Sequence, residues 1–131
     1  MNSLQRIHHA AIICSDYEKS KDFYVNKLGL KVIAETYREA RKSYKLDLQI
    51  GENGGQIELF SFENPPKRQS WPEACGLRHL AFSTNDIEKA VAELHANGVK
   101  TEPIRVDEIT GKHFVFFSDP DDLPLELYES K

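Results

Sequence analysis

The sequence predicts an α+β fold built from two tandem βαβββ modules, whose curled mixed sheets form a cleft. Three observations predict it. The stretch His9-Ala10-Ala11-Ile12-Ile13-Cys14-Ser15-Asp16-Tyr17-Glu18-Lys19 returns seventy residues later, with His79, Ala81, Asp86, Glu88 and Lys89 on His9, Ala11, Asp16, Glu18 and Lys19. Ile57-Glu58-Leu59-Phe60 stands 68 residues before Leu125-Glu126-Leu127-Tyr128. Between these halves lies Glu63-Asn64-Pro65-Pro66-Lys67-Arg68-Gln69-Ser70-Trp71-Pro72-Glu73-Ala74-Cys75, whose three prolines mark a linker. A period near 70 with only two copies points to paired modules rather than to a solenoid.

Taken in order, residues 7–14 are rich in Ile and Ala and read as a strand. Ser15 is expected to cap a helix, with Glu18 three residues on in a capping-box pattern. Tyr17, Ser20, Tyr24 and Leu28 share one helical face, and Gly29 follows the last turn. Strands are expected near 31–38, 43–50 and 55–62, the last two joined by Gly51-Glu52-Asn53-Gly54-Gly55. Those glycines suit a hairpin, and no Gly-Lys-Ser/Thr follows to make a phosphate loop. The order then begins again. A strand at 77–83 leads to an expected cap at Asn85, with Glu88 three residues on. A helix follows with Ile87, Ala90, Val91 and Leu94 on one face, and Gly98 stops it. Strands near 100–107, 112–118 and 123–129 complete the second module. The expected layout is one domain over 1–131, with module one at about 5–62, the linker at 63–75 and module two at about 76–130.

The chain has 131 residues, 40% of them hydrophobic and 29% charged, enough for a packed core. A net charge of -4 argues against nucleic acid, whose binders carry a basic surplus. No apolar run approaches the ~20 residues that span a bilayer, and Met1-Asn2-Ser3-Leu4-Gln5-Arg6 lacks the apolar centre of a signal peptide. Cys14 and Cys75 have neither zinc-ligand nor redox spacing and read as free thiols of a reducing cytoplasm.

Strand parity selects the candidate site. His9 shares a face with Ala11 and Ile13, and His79 with Ala81 and Ser83. In the closing strands, Ile57 and Leu59, or Leu125 and Leu127, take the helix side, which turns Glu58 and Glu126 the other way. A lone histidine on an apolar strand is ordinarily a hydrogen-bonded core residue, and a lone glutamate near a strand end is ordinarily solvated. The twofold match of type, position and parity favours a shared metal ion held by His9, Glu58, His79 and Glu126. A divalent cation is the economical partner for two inward carboxylates, because an unpaired buried charge costs several kcal/mol. Two imidazoles and two carboxylates suit zinc, nickel, cobalt, iron or manganese and do not select among them. The lack of cysteine ligands favours a site with open positions over a structural zinc.

Other polar residues carry weaker signals. His8 has helix-side parity and reads as a supporting or packing residue. His95 reads as solvated, and His113 as a residue at the cavity rim. Arg38, Arg41 and Lys42 read either as a solvated hairpin or as a clamp on an anionic substrate, and Lys67, Arg68 and Arg78 likewise. Phe114, Phe116 and Phe117 read as core, and Cys14 as an inert core thiol.

These residues resemble the vicinal oxygen chelate superfamily, and within it the small bacterial glyoxalase I-like proteins. The resemblance rests on His9-Ala10-Ala11-Ile12 before Asp16, Phe23-Tyr24 with Leu28-Gly29, Ile57-Glu58-Leu59, Arg78-His79-Leu80-Ala81-Phe82 before Asp86, and Phe117-Ser118-Asp119-Pro120-Asp121 before Leu125-Glu126-Leu127. It covers nearly the whole chain. The order His-Glu-His-Glu resembles the glyoxalase I ligand set, whereas related dioxygenases and fosfomycin-modifying enzymes typically use two histidines and one glutamate. Two departures stand out. Ile13 holds the place of an arginine that serves glutathione, and Asp122 the place of a turn glycine.

The resemblance implies a lactoylglutathione lyase-like enzyme, converting a 2-oxoaldehyde–thiol hemithioacetal to a 2-hydroxyacyl thioester. It implies one divalent metal ion, Glu126 as the catalytic base, a small-molecule substrate in the form of a thiol adduct, and a homodimer. The alternatives are another metal enzyme of the superfamily, a thiol transferase or epimerase, and a non-catalytic resistance-type binding protein. The 13-residue linker could reach ~40 Å, so its length permits a site within one chain or across a dimer.

Overall fold

The structure, a computed structural model, describes residues 1–130. It divides into two compact units, Met1–Pro66 and Lys67–Lys131, and the division falls inside the proline-rich segment. Each unit contains one four-stranded mixed sheet, with few helices, in the βαβββ order expected.

In the first unit, β1 (His9–Cys14) leads to helix α1 (Tyr17–Lys21), which runs on into a π-helical turn, Asp22–Lys27. The strands β2 (Lys31–Arg38), β3 (Ser43–Gln49) and β4 (Gln56–Ser61) follow, in the sheet order β1-β4-β3-β2. The β1–β4 pair is parallel and the others antiparallel. Apolar residues at alternate strand positions explain the core. Ile12, Cys14, Leu46, Leu48, Ile57 and Leu59 are buried on one face, together with Phe23 and Tyr24 from the helical segment. Each buried Leu, Ile or Phe side chain contributes roughly 1.5–3 kcal/mol on burial.

The second unit repeats this plan with β5 (Leu80–Thr84), α2 (Ile87–Ala96), β6 (Arg105–Val106), β7 (His113–Ser118) and β8 (Pro124–Glu129). Its order, β5-β8-β7-β6, is the counterpart of the first, and β5–β8 is again the parallel pair. Its core holds Ile87, Leu94, Val99, Val115, Phe117, Leu123 and Leu125. Among the described residues, no helix is long and apolar enough to cross a membrane.

Three local expectations are corrected. The helix caps are Asp16 and Asp86, one residue past Ser15 and Asn85. Each is extended, and its carboxylate accepts from the third amide beyond it, Lys19 N at 3.2 Å and Lys89 N at 3.0 Å. An aspartate also favours the positive end of the helix, which a neutral serine or asparagine does not. Asn85 instead accepts a hydrogen bond from the Ser130 hydroxyl. The strand expected at 100–107 shrinks to Arg105–Val106. Pro103 has no N–H to give to a ladder. His113 stands on the helix-side face and pairs with Glu129 at 2.9 Å, so it does not reach the donor-bearing face.

The turn after β7 keeps its form without glycine. Asp122 adopts φ 64, and the buried Asp119 carboxylate accepts from the amides of Asp121 and Leu123. A short polar side chain tolerates this left-handed backbone better than most. Asp86→Ala is expected to cost about 1 kcal/mol of stability through loss of the cap, measured by urea denaturation.

Candidate metal centre

Cross-strand register places the four predicted donors. In the first unit, Glu58 pairs with Ala11 of β1 and Asp47 of β3, so His9, Ala11, Glu58 and Asp47 share one face. In the second, Glu126 pairs with Ala81 and Phe116, and His79 precedes β5 with the matching parity. The apolar residues between them, Ile57 and Leu59 or Leu125, are buried on the opposite face, which holds the glutamates in this orientation.

Each unit brings one imidazole to one carboxylate with nearly the same spacing. His9 Nε2 lies 3.5 Å from Glu58 Oε1, and His79 Nε2 lies 3.4 Å from Glu126 Oε1. The carboxylates are the more buried partners, at 14% and 11% side-chain exposure against 39% and 28% for the histidines. These separations exceed the usual N–H···O range of 2.7–3.2 Å. They come within about 0.1 Å of the upper end of a chelate's bite. Two donors ~2.1 Å from one ion, at octahedral to tetrahedral angles, stand about 3.0–3.4 Å apart. The donor set and its spacing therefore fit a divalent ion. Among the described residues, no group of three or more His, Cys, Asp or Glu side chains is placed to hold a metal, so each unit by itself supplies a pair.

The surroundings of the two pairs differ. His8 Nδ1 lies 3.0 Å from His9 Nδ1, a contact that orients the ring and leaves Nε2 facing Glu58. Lys45 Nζ sits 2.8 Å from Asp47 and 3.7 Å from Glu58 Oε2. Its hydrogen bond to Asp47 holds the ammonium above its ordinary pKa. In the second unit the register partner of the glutamate is Phe116, whose ring meets His79 edge-on at 5.1 Å. Nδ1 of His79 is buried and has no hydrogen-bond partner. Tyr128, two residues beyond Glu126 on the same face, donates to Asp107 at 2.9 Å, and its oxygen lies 2.6 Å from the Thr110 hydroxyl. That bond, then the Ile109 amide, holds Asp107 below its ordinary pKa.

Sequence reasoning missed Lys45 and Asp47, although their alternation with Leu46 and Leu48 in β3 is the available signal. It also placed three phenylalanines together in the core. Phe117 is buried there, whereas Phe114 and Phe116 are half-buried on the face of Glu126. Of the basic residues singled out, Arg68 is occupied by its own loop, donating to Ser70 and to the carbonyls of Leu77 and Arg78. Arg78 pairs with Glu73 at 3.5 Å. His95 Nε2 lies 2.9 Å from the Thr101 hydroxyl on the exposed end of α2. Cys14 is a buried thiol outside any disulfide, as expected, and donates to the Phe60 carbonyl.

Comparison with known proteins places this architecture. The chain is 68% identical over 127 residues to the uncharacterised protein YwkD of Bacillus subtilis, covering 96% of this chain and 98% of that one. A crystal structure of a glyoxalase family protein from Enterococcus faecalis, 50% identical, superposes with a TM-score of 0.88 over 95% of this chain and 98% of that one. A lactoylglutathione lyase of Schizosaccharomyces pombe is 25% identical over 145 residues, which span 95% of this chain and 47% of the relative. The family model of the glyoxalase/bleomycin resistance protein/dioxygenase superfamily matches residues 6–127. With two βαβββ units and a matching model over almost its full length, the chain belongs to that superfamily.

Proposed function

We propose that the protein is a metal-dependent lyase of the glyoxalase I kind, which isomerises the hemithioacetal of a 2-oxoaldehyde and a thiol to a 2-hydroxyacyl thioester. The observation that carries this reading is the matched His–Glu pair in each unit, 3.5 and 3.4 Å across. His9, Glu58, His79 and Glu126 together would hold one divalent ion, zinc, nickel, cobalt, manganese or iron, with donors from one chain or from two copies in a homodimer. The distant lactoylglutathione lyase relative supports the same reaction class. When bound, the ion supplies Lewis-acid polarisation of the two neighbouring substrate oxygens.

The protein's own residues do the rest. His9 and His79 present Nε2 toward the carboxylates and fix the donor geometry. Glu126 moves the proton. Its carboxylate takes the hydrogen from the sulfur-bearing carbon and returns it to the adjacent carbonyl carbon. The hydroxyl proton crosses to the neighbouring oxygen, so the reaction is a balanced isomerisation. Glu126 takes this role rather than Glu58 because Lys45 stands 3.7 Å from Glu58, whereas Glu126 faces Phe116. Ile13, 55% exposed on the face of His9, offers no charge to a glutathione carboxylate at that position, so the thiol is to be found by assay.

Metal analysis of the protein as purified, paired with a methylglyoxal assay across several thiols, tests the proposal. Bound metal and turnover that a chelator removes are expected. A metal-loaded preparation inert with every thiol but active on an epoxide or an acyl-CoA would make it another enzyme of the superfamily. Neither metal nor turnover would make it a binding protein.

A further inference from the structure

The face of the first sheet that carries His9 and Glu58 also carries a guanidinium without a counter-charge among the described residues. Arg38 closes β2 opposite Ser43 of β3, and Lys45 on that face is opposite Phe60 of β4. The Arg38 guanidinium lies over the Phe60 ring at 4.8 Å and over the Phe62 ring at 5.8 Å. Those two rings are near-parallel, 6.1 Å apart. Arg38 donates through Nη2 to the buried Ser43 hydroxyl at 2.9 Å, and its Nε is buried with no hydrogen-bond partner. The Arg41 guanidinium shares the Phe62 ring at 5.4 Å. Among the described residues, neither arginine is within ion-pair distance of a carboxylate.

The second unit provides an internal contrast. Arg105 of β6 also lies over two phenylalanines, Phe114 at 5.0 Å and Phe116 at 5.6 Å, but it pairs with Glu102 at 2.9 Å. Aromatic faces favour a cation yet leave its N–H donors unused, and two guanidinium groups on one ring repel unless an anion lies between them. A half-buried, ring-mounted guanidinium with donors to spare is suited to the planar, two-point recognition of an oxyanion. Phe60 stands two residues, about 7 Å, along β4 from Glu58, which is within the reach of one small molecule.

We propose that Arg38, with Arg41 beside it, forms an oxyanion subsite on the donor face of the first unit, and that it takes a carboxylate or phosphate borne by the substrate. The subsite itself stands on the arginines and the rings. Its assignment to the substrate rests on the function proposed above.

The test uses three probes of similar size, butyrate, propyl phosphate and butyramide, titrated into the protein without added metal. The readout is the side-chain Nε–H resonance of Arg38, which its burial protects from exchange with solvent. Butyrate, propyl phosphate or both should shift it saturably, and which of them does so identifies the anion. Butyramide should bind at least about tenfold more weakly. Arg38→Met, which keeps the apolar contact with the rings, should abolish anion binding as followed by shifts of neighbouring backbone amides. Arg38→Lys should retain it with reduced affinity, and Arg105→Met should leave it unchanged. Equal response to butyramide, or anion binding that survives in a folded Arg38→Met protein, would overturn the proposal. The protein is read without metal, so loss of the metal centre in other experiments leaves this result interpretable.

Discussion

Glu126→Gln is expected to remove turnover of the methylglyoxal hemithioacetal while metal remains bound. Glutamine keeps the size of the side chain and one oxygen donor, so the 3.4 Å approach to His79 can persist. It cannot accept the proton from carbon. A positioned general base contributes typically 10²–10⁴-fold, so kcat should fall by roughly that factor. Glu58→Gln is the control. Glu58 is the carboxylate beside Lys45, so its variant, which likewise keeps one oxygen donor, should retain turnover at saturating metal far better than Glu126→Gln. Stopped assays with metal content measured in the same samples separate these effects. Unchanged kcat in Glu126→Gln would remove Glu126 from the proton transfer.

His9→Ala and His79→Ala should each lower metal affinity by at least ~100-fold, since changes to supporting residues alone typically cost 10–100-fold. The consequence extends to stability. A ligand that binds only the folded state stabilises it by about 2.7 kcal/mol at one hundred times its Kd. Added zinc should therefore raise the melting temperature of the wild-type protein and do so much less for either variant. The two variants test different units, because His9 belongs to Met1–Pro66 and His79 to Lys67–Lys131. A protein in which only one of them lost its zinc response would place the ion in one unit alone.

The repeat made the architecture legible before any coordinates. Strand alternation around Glu58 and Glu126 gave the face of each carboxylate, and the structure agrees for both, because buried Ile57, Leu59 and Leu125 demand the other side. Gly29 and Gly98, read as helix stops, indeed take φ 76 and φ 80. What was not legible depends on cross-strand register. Nothing local to Lys45 or Asp47 says that they face Glu58, because their proximity is a property of β3 pairing with β4 at Asp47–Glu58. Phe114 and Phe116 look like core by composition, and only their pairing with Tyr128 and Glu126 moves them to the donor face. The caps were displaced by one residue because a short pattern such as Ser15-Asp16 or Asn85-Asp86 offers two capping side chains. Backbone dihedrals, not residue type, choose between them. The clamp reading of the basic residues divided in the same way. Arg68 and Arg78 have partners within their own loop, and among the described residues Arg38 has no carboxylate partner.

The measurement that bears most directly on the shared ion is the metal stoichiometry per chain, by native mass spectrometry under limiting and excess zinc, in the wild-type protein and in His9→Ala and His79→Ala. One tightly held equivalent per chain is expected in the wild type, within one chain or across a dimer, and it should disappear when either histidine is removed. Two equivalents per chain, or one that survives the loss of His9 or of His79, would contradict a single cation held by both halves.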